Sequence, residues 1–259
     1  MSPQEIAPLP RVCAQLAELT AAGAPDGAQL SKLIQSDPAL AGEIMRVANS
    51  PVLRPRSPIV SLQQAVSWLG VAEVRNIATA VMLRGEVFSA PGHEPESEEL
   101  WREAWLSGLW AKEIARERRK HVESAFLAAL MHRAGAALAL KILSGFEVRQ
   151  RTVMDAHSFA ALVVEFEPAF GVMLMTQWRL PQDVKDGARH WRDHRNATHG
   201  DLACTVSAAH LLATHTLHPQ LLCEAAVVES PVFEQLGIFP DRRSELLAKR
   251  DQVRSLADI

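Results

Sequence analysis

Apolar residues recur every three or four positions along most of this chain, and strictly alternating runs are nearly absent, which predicts helices and almost no strands. The segment "APDGAQLSKLIQSDPALAGEIMRVANSP" predicts two short helices. Asp26 caps the first, with Gln29 at the capping-box position. Asp37 caps the second, with Pro38 in its first turn, where a missing N–H costs nothing. Leu40, Ile44, Val47 and Ala48 fall on one face, and "NSP" ends the helix. A further helix is expected from about Ser61, with Leu62, Ala65, Val66 and Leu69 inward and Gly70 as its stop. "VAEVRNIATAVML" continues with Val74, Ile77, Ala78, Val81 and Met82 on a shared face.

Proline, glycine and acidic residues interrupt this pattern in "SAPGHEPESEE", which makes it the natural joint between an N-terminal part, residues 1–92, and a C-terminal part, residues 93–259. Past it, "ELWREAWLSGLWAKEIARERRK" predicts a long amphipathic helix with Trp101, Trp105 and Leu109 at helical spacing. "VESAFLAALMHRAGAALALKIL" predicts a buried helical region. "DAHSFAALVVEFEPAFGVMLMTQWRLP" gives two more helices, Pro181 opens "QDVKDGARHWRDHR", and "HGDLACTVSAAHLLATH" is again amphipathic. The tail "SELLAKRDQVRSLADI" reads as a charged amphipathic helix able to dock on the body or on a second copy. The fold class is therefore all-α, a non-parallel helical bundle in two subdomains.

Composition narrows the function. A formal charge of −3 exerts no broad pull on nucleic acid or an anionic membrane, so neither partner is expected. Cys13, Cys204 and Cys223 are odd in number and far apart, which is neither a disulfide framework nor a zinc ribbon and suits a reducing cytoplasm. "MSPQEIAPLP" has no basic region leading into an apolar one, so no signal peptide is expected. The stretch "AFLAALMHRAGAALALKIL" is interrupted by His132 and Arg133 and reads as a buried helix rather than a membrane span.

The ten histidines are the first suspects for chemistry. His190 and His194, in "HWRDH", would share a helix face at i, i+4 and could bite zinc, but Trp191 stands where a metalloprotease motif needs glutamate. An exposed polar face or a helix C-terminus explains them as well. His210, His215 and His218 share no such face. The basic run "RERRKH" suits a solvated helix end better than a phosphate site. Trp101, Trp105 and Trp110 fit core packing better than a stacking platform. No phosphate-binding glycine loop and no hydrolase elbow occurs.

Five stretches in this order resemble the HDOD family: "SDPALAGEIMRVANSP", "IVSLQQAVSWLGVAEVRNIATAV", "LWREAWLSGLWAKEIA", "SAFLAALMHRAGAALAL" and "GVMLMTQWRLPQDVKDGARHW". The resemblance spans roughly residues 8 to 225. It implies a helical subdomain beside an HD-like helical bundle, related to metal-dependent phosphohydrolases whose metal site has eroded. Carried over residue by residue, the ligand positions hold Glu103 in place of a histidine, His132 retained, Arg133 in place of its aspartate partner, Glu167 in place of a histidine, His190 retained beside Trp191, and His210 in place of a late aspartate.

That substitution at 133 has a size. At about 4 Å and an effective dielectric near 20, a guanidinium repels a divalent cation by roughly 8 kcal/mol. It presents donors only and cannot serve as a ligand. Two-metal hydrolysis needs both ions close together. The expectation is thus no catalytic residue, no metal and no cofactor. The resemblance implies a regulatory module that acts through other signalling proteins in trans, with homo-oligomerisation open. Two alternatives remain. The six positions could form a vestigial pocket that takes a small anion or nucleotide, with Arg133, His132 and His190 as donors. Otherwise a residual phosphohydrolase could hold one metal of altered type on His132, His190, Glu103 and Glu167.

Overall fold

The computed structural model describes Gln15, residues 27–51, 53, 55 and 57–257. Among these residues there is no strand. The expected Asp26 cap, Cys13 and the N-terminal "MSPQEIAPLP" lie outside them. Contacts divide the chain into two compact units, one ending at Glu86 and the other Val87–Ala257.

The first unit contains α1 (Gly27–Gln35), α2 (Pro38–Ala48), α3 (Leu62–Leu69) and α4 (Val71–Glu86). Asp37 caps α2 by accepting hydrogen bonds from the backbone N–H groups of Ala39 and Leu40, at 3.0 and 3.1 Å. Leu40, Ile44, Val47 and Ala48 are the buried face of that helix. They join Leu30, Ile34, Ala65, Val66, Val74 and Ile77 in one core. Ser61 caps α3, and Gly70 ends it at φ +80°, a left-handed conformation that suits a residue without Cβ. There α4 turns away at 110° from α3.

Asn49 gives the "ANSP" stretch its purpose. Its side-chain amide donates to the Ile59 carbonyl at 2.9 Å and accepts from the Ile59 N–H at 2.8 Å. One side chain thereby closes the segment between α2 and α3 as a strand partner would.

The second unit is built on α5 (Glu94–Glu117), which packs against α6 (Val122–Met131) and α10 (Gly200–Leu217). A hairpin of α7 (Ala134–Gln150) and α8 (Ala156–Gln177) leads to α9 (Gln182–Arg189), a 3-10 turn (His194–Asn196) and α10. The chain ends in α11 (Glu224–Val228), α12 (Pro231–Gln235), α13 (Pro240–Leu247) and α14 (Arg250–Ala257). Trp110 is fully buried, and its indole N–H donates to the Thr216 hydroxyl at 3.1 Å. The tail does dock: α14 packs on α5, with Leu246, Leu247 and Val253 in the main core. The division after Glu86 precedes the 92/93 joint read from composition, and contacts of the intervening segment explain its position. Ser144 donates to the Pro91 carbonyl, and His93 pairs with Glu147 at 2.9 Å and stacks on Phe159.

Three differences from the sequence reading have local causes. The buried region 122–150 is not one helix, because His132 and Arg133 form a turn. The His132 Nδ1–H donates to the Ala129 carbonyl at 2.5 Å, the acceptor that the Arg133 N–H would use in a continuous helix. His190 and His194 do not share a helix face, because α9 stops at Arg189 with His190 as its cap. The basic run is less free than a solvated end. Arg118 donates to the Leu236 carbonyl at 2.8 Å and holds Asp201 with both terminal nitrogens, at 3.1 and 2.6 Å. By length and composition Val122–Gln150 and Ala156–Gln177 could each cross a membrane, and their most apolar windows are 72% and 33% buried inside the protein.

The α7–α8 hairpin crosses at two glycines. A Cβ built on Gly135 would lie 2.1 Å from the Glu167 carbonyl oxygen and 2.8 Å from the Gly171 nitrogen. Only a bare Cα fits. Gly135→Ala is expected to destabilise the protein by about 3 kcal/mol through overpacking against backbone. Gly145→Ala, where the nearest atom is the mobile Arg149 guanidinium at 3.4 Å, should be neutral or stabilising by about 0.5–1 kcal/mol. Urea denaturation of the two variants side by side measures the contrast, and equal midpoints would contradict so close a crossing.

Candidate functional site

The glycine crossing sets the site. Because α7 and α8 touch at Gly135 and Gly171, Arg133, two residues before one, comes within reach of Glu167, four residues before the other. Glu103 approaches from α5, His210 from α10, and Trp191 and Arg192 from the turn after α9.

Two contact systems meet there. In the first, Arg133 donates from Nε to Glu103 at 3.0 Å and from Nη1 to Glu167 at 2.6 Å. The other oxygen of Glu167 lies 3.1 Å from Arg192 Nη2. Glu167 is 5% exposed and Arg133 is mostly shielded, so the Arg133 pairs are interior ones, while Arg192 reaches Glu167 from the half-exposed rim. The four charges cancel. In the second system, His132 Nε2 and His210 Nδ1 are 3.1 Å apart. With Nδ1 of His132 donating to Ala129, its Nε2 is the acceptor, and His210 Nδ1–H is the donor. Trp191 covers both rings, edge-on to His132 at 5.0 Å and tilted over His210 at 4.3 Å, and the Arg192 guanidinium lies 4.2 Å above the indole.

Titration follows from this packing. Burial holds His132 well below the usual histidine range, with His210 and Arg133 adding to the effect. Burial, then Arg133 and Arg192, pull His210 down to about 3. Burial raises the Glu103 carboxyl, and Arg133 opposes the rise.

Of the six positions read from the sequence, the structure joins five: Glu103, His132, Arg133, Glu167 and His210. His190 stands apart, its Nε2 lying 3.7 Å from Asp186 one turn earlier. Arg192 was missed and Trp191 was noted only as a lost ligand. Charge parity could have signalled Arg192, since two interior glutamates leave one cation unaccounted for beside Arg133.

These residues do not fit a divalent metal as they are arranged. The one lone pair of His132 is taken by His210, both carboxylates are neutralised by guanidinium groups, and among the described residues no group of three or more His, Cys, Asp or Glu is set to hold an ion. An added anion is also disfavoured, because Glu103 and Glu167 already balance the positive charge of Arg133.

With this geometry in place, comparison with known proteins identifies the family. The HDOD domain model matches residues 6–194. The chain belongs to the HDOD family. No curated protein matches it. Among solved structures, an HDOD domain protein of unknown function from Geobacter sulfurreducens superposes with a TM-score of 0.75 at 17% identity, covering 98% of this chain and 92% of the other. A protein from Shewanella amazonensis provisionally named a metal-dependent phosphohydrolase gives 0.74 at 20% identity, covering 98% and 91%. A provisionally named signal transduction protein from Marinobacter aquaeolei gives 0.70 at 21%, covering 98% of this chain and 59% of that one. At these identities the likeness is one of HD-like helical fold.

Two outcomes test this HDOD site. Arg133→Met leaves Glu103 and Glu167 short of a buried partner and should cost about 3–5 kcal/mol, read by chemical denaturation at pH 7. The second concerns acid. His132 and His210 resist protonation when folded but accept it near pH 6.5 when unfolded, so the unfolded chain binds more protons as pH falls. Stability contributed by their neutral forms is present above that value and is lost progressively as pH falls from about 6.5 toward 3. His210→Gln should flatten the slope of stability against pH in this window by about one proton, and an unchanged slope would place its titration elsewhere.

Proposed function

We propose that this HDOD protein is a non-catalytic signal-transduction module that acts by contact with other signalling proteins and has lost the metal site of its phosphohydrolase relatives. One observation carries the reading: Arg133, beside the retained His132, is fixed between Glu103 and Glu167 where the family resemblance implies an aspartate. A metal site is a fixed positive charge that gathers carboxylates and imidazoles. Here a guanidinium supplies that charge from within the chain, and the imidazole that would bind metal is satisfied by a second imidazole. The name of the Marinobacter structure, a provisional signal transduction protein, agrees with such a role.

A module of this kind needs surface to offer a partner. The α7–α8 hairpin and its turn leave Val148, Val153 and Val164 67%, 88% and 66% exposed. Apolar side chains so placed support a contact function, since water gains by their removal. The small-anion reading has weaker support, because the site is electrically balanced. A residual hydrolase has weaker support again, because the His132 lone pair is engaged by His210 and both carboxylates face guanidinium groups.

Elemental analysis after loading with manganese, iron or zinc tests the proposal, together with a phosphodiester and phosphomonoester hydrolysis assay. The expected outcome is substoichiometric metal and no turnover above buffer. Stoichiometric metal that disappears in His132→Ala, or turnover that follows it, would overturn the reading.

A further inference from the structure

His215 is one of the two histidines of "HLLATHTLH" that the HDOD site does not use. It is 3% exposed, and its Nδ1–H donates to the Leu222 carbonyl at 2.8 Å, so the ring is locked with the lone pair of Nε2 outward. That lone pair faces only a long contact, 3.5 Å, from Arg250 Nη1. Both side chains line a cavity of about 320 Å³, together with Glu224, Ser244, Leu247 and Asp251 among others. All of these residues lie beyond the 6–194 segment that the family model matches. The volume is at the small end of ligand cavities, about 300–1,000 Å³.

The geometry points to a binding site for a free α-amino acid in this cavity. The lining carries both signs of charge in a loose state. Arg250 and Asp251 approach no closer than 3.9 Å, with Asp251 93% exposed, and Glu224 has no ion-pair partner among the described residues. A simple anion would gain Arg250 but face two carboxylates, and a simple cation would face the guanidinium. A small zwitterion satisfies both: its carboxylate takes the forked donors of Arg250, and its ammonium takes Glu224 or Asp251 and donates to His215 Nε2. Leu247 gives an apolar wall for a side chain. This site is separate from the Arg133 network, so it holds or fails independently of the signalling proposal.

Calorimetry of the full chain against the L-amino acids tests it, with acetate and methylammonium as single-charge probes. At least one amino acid should bind with Kd below about 1 mM. Its N-acetyl amide, which lacks both charges, should bind at least about tenfold more weakly, and so should the parent amino acid to Arg250→Gln or Glu224→Gln. Binding of none of them overturns the inference. So does equal binding of the capped form or of acetate, and so does unchanged affinity in both folded variants. Because the capped-ligand comparison uses the unaltered protein, it decides the matter even where a variant fails to fold.

Discussion

Two carboxylates, Glu103 and Glu167, reach the interior of the second unit from different helices, and Arg133 is what allows both to stay. An isolated buried carboxylate would take up a proton or draw in water. A guanidinium does neither, remains charged at every accessible pH, and presents several donors in a rigid plane. The arrangement is possible only because α7 and α8 touch at Gly135 and Gly171. With a methyl group at 135 the helices must part, which would carry Glu167 away from the guanidinium. Backbone sterics thus stand underneath the electrostatics.

The histidine pair depends on the same turn. The His132 side chain claims the Ala129 carbonyl, which breaks the helix and simultaneously decides which of its nitrogens carries hydrogen. His210 then has only one way to bond to it. Trp191 packs on both rings, and burial is the main reason they stay neutral. On the reading proposed, the place that the family resemblance gives to a metal site is filled by ion pairs and a histidine pair that satisfy one another.

Much of this was legible in the sequence. The inward faces of α2, α3 and α4, the Asp37 cap and the Gly70 stop follow from spacing and local chemistry, and the HDOD resemblance brought Glu103, His132, Arg133, Glu167 and His210 together before any coordinates. What was not legible lies where tertiary contacts compete with local preference. The break at His132 arises from a side chain taking a backbone acceptor, which periodicity cannot register. His190 and His194 look paired only if α9 continues, and it ends at Arg189. Arg192 belongs to the network through a partner 25 positions earlier in the chain, Glu167. The use of Arg118 as a tie to Asp201 and Leu236 was hidden for the same reason.

The Asn49 clamp on Ile59 has a consequence for how this lineage can vary. A single amide anchors both ends of the connection between α2 and α3, so the closure of this segment rests largely on one side chain. Ring-closure entropy rises only slowly with contour length. Added length within this connection would therefore cost little, whereas loss of the Asn49 amide would release both of its ends at once.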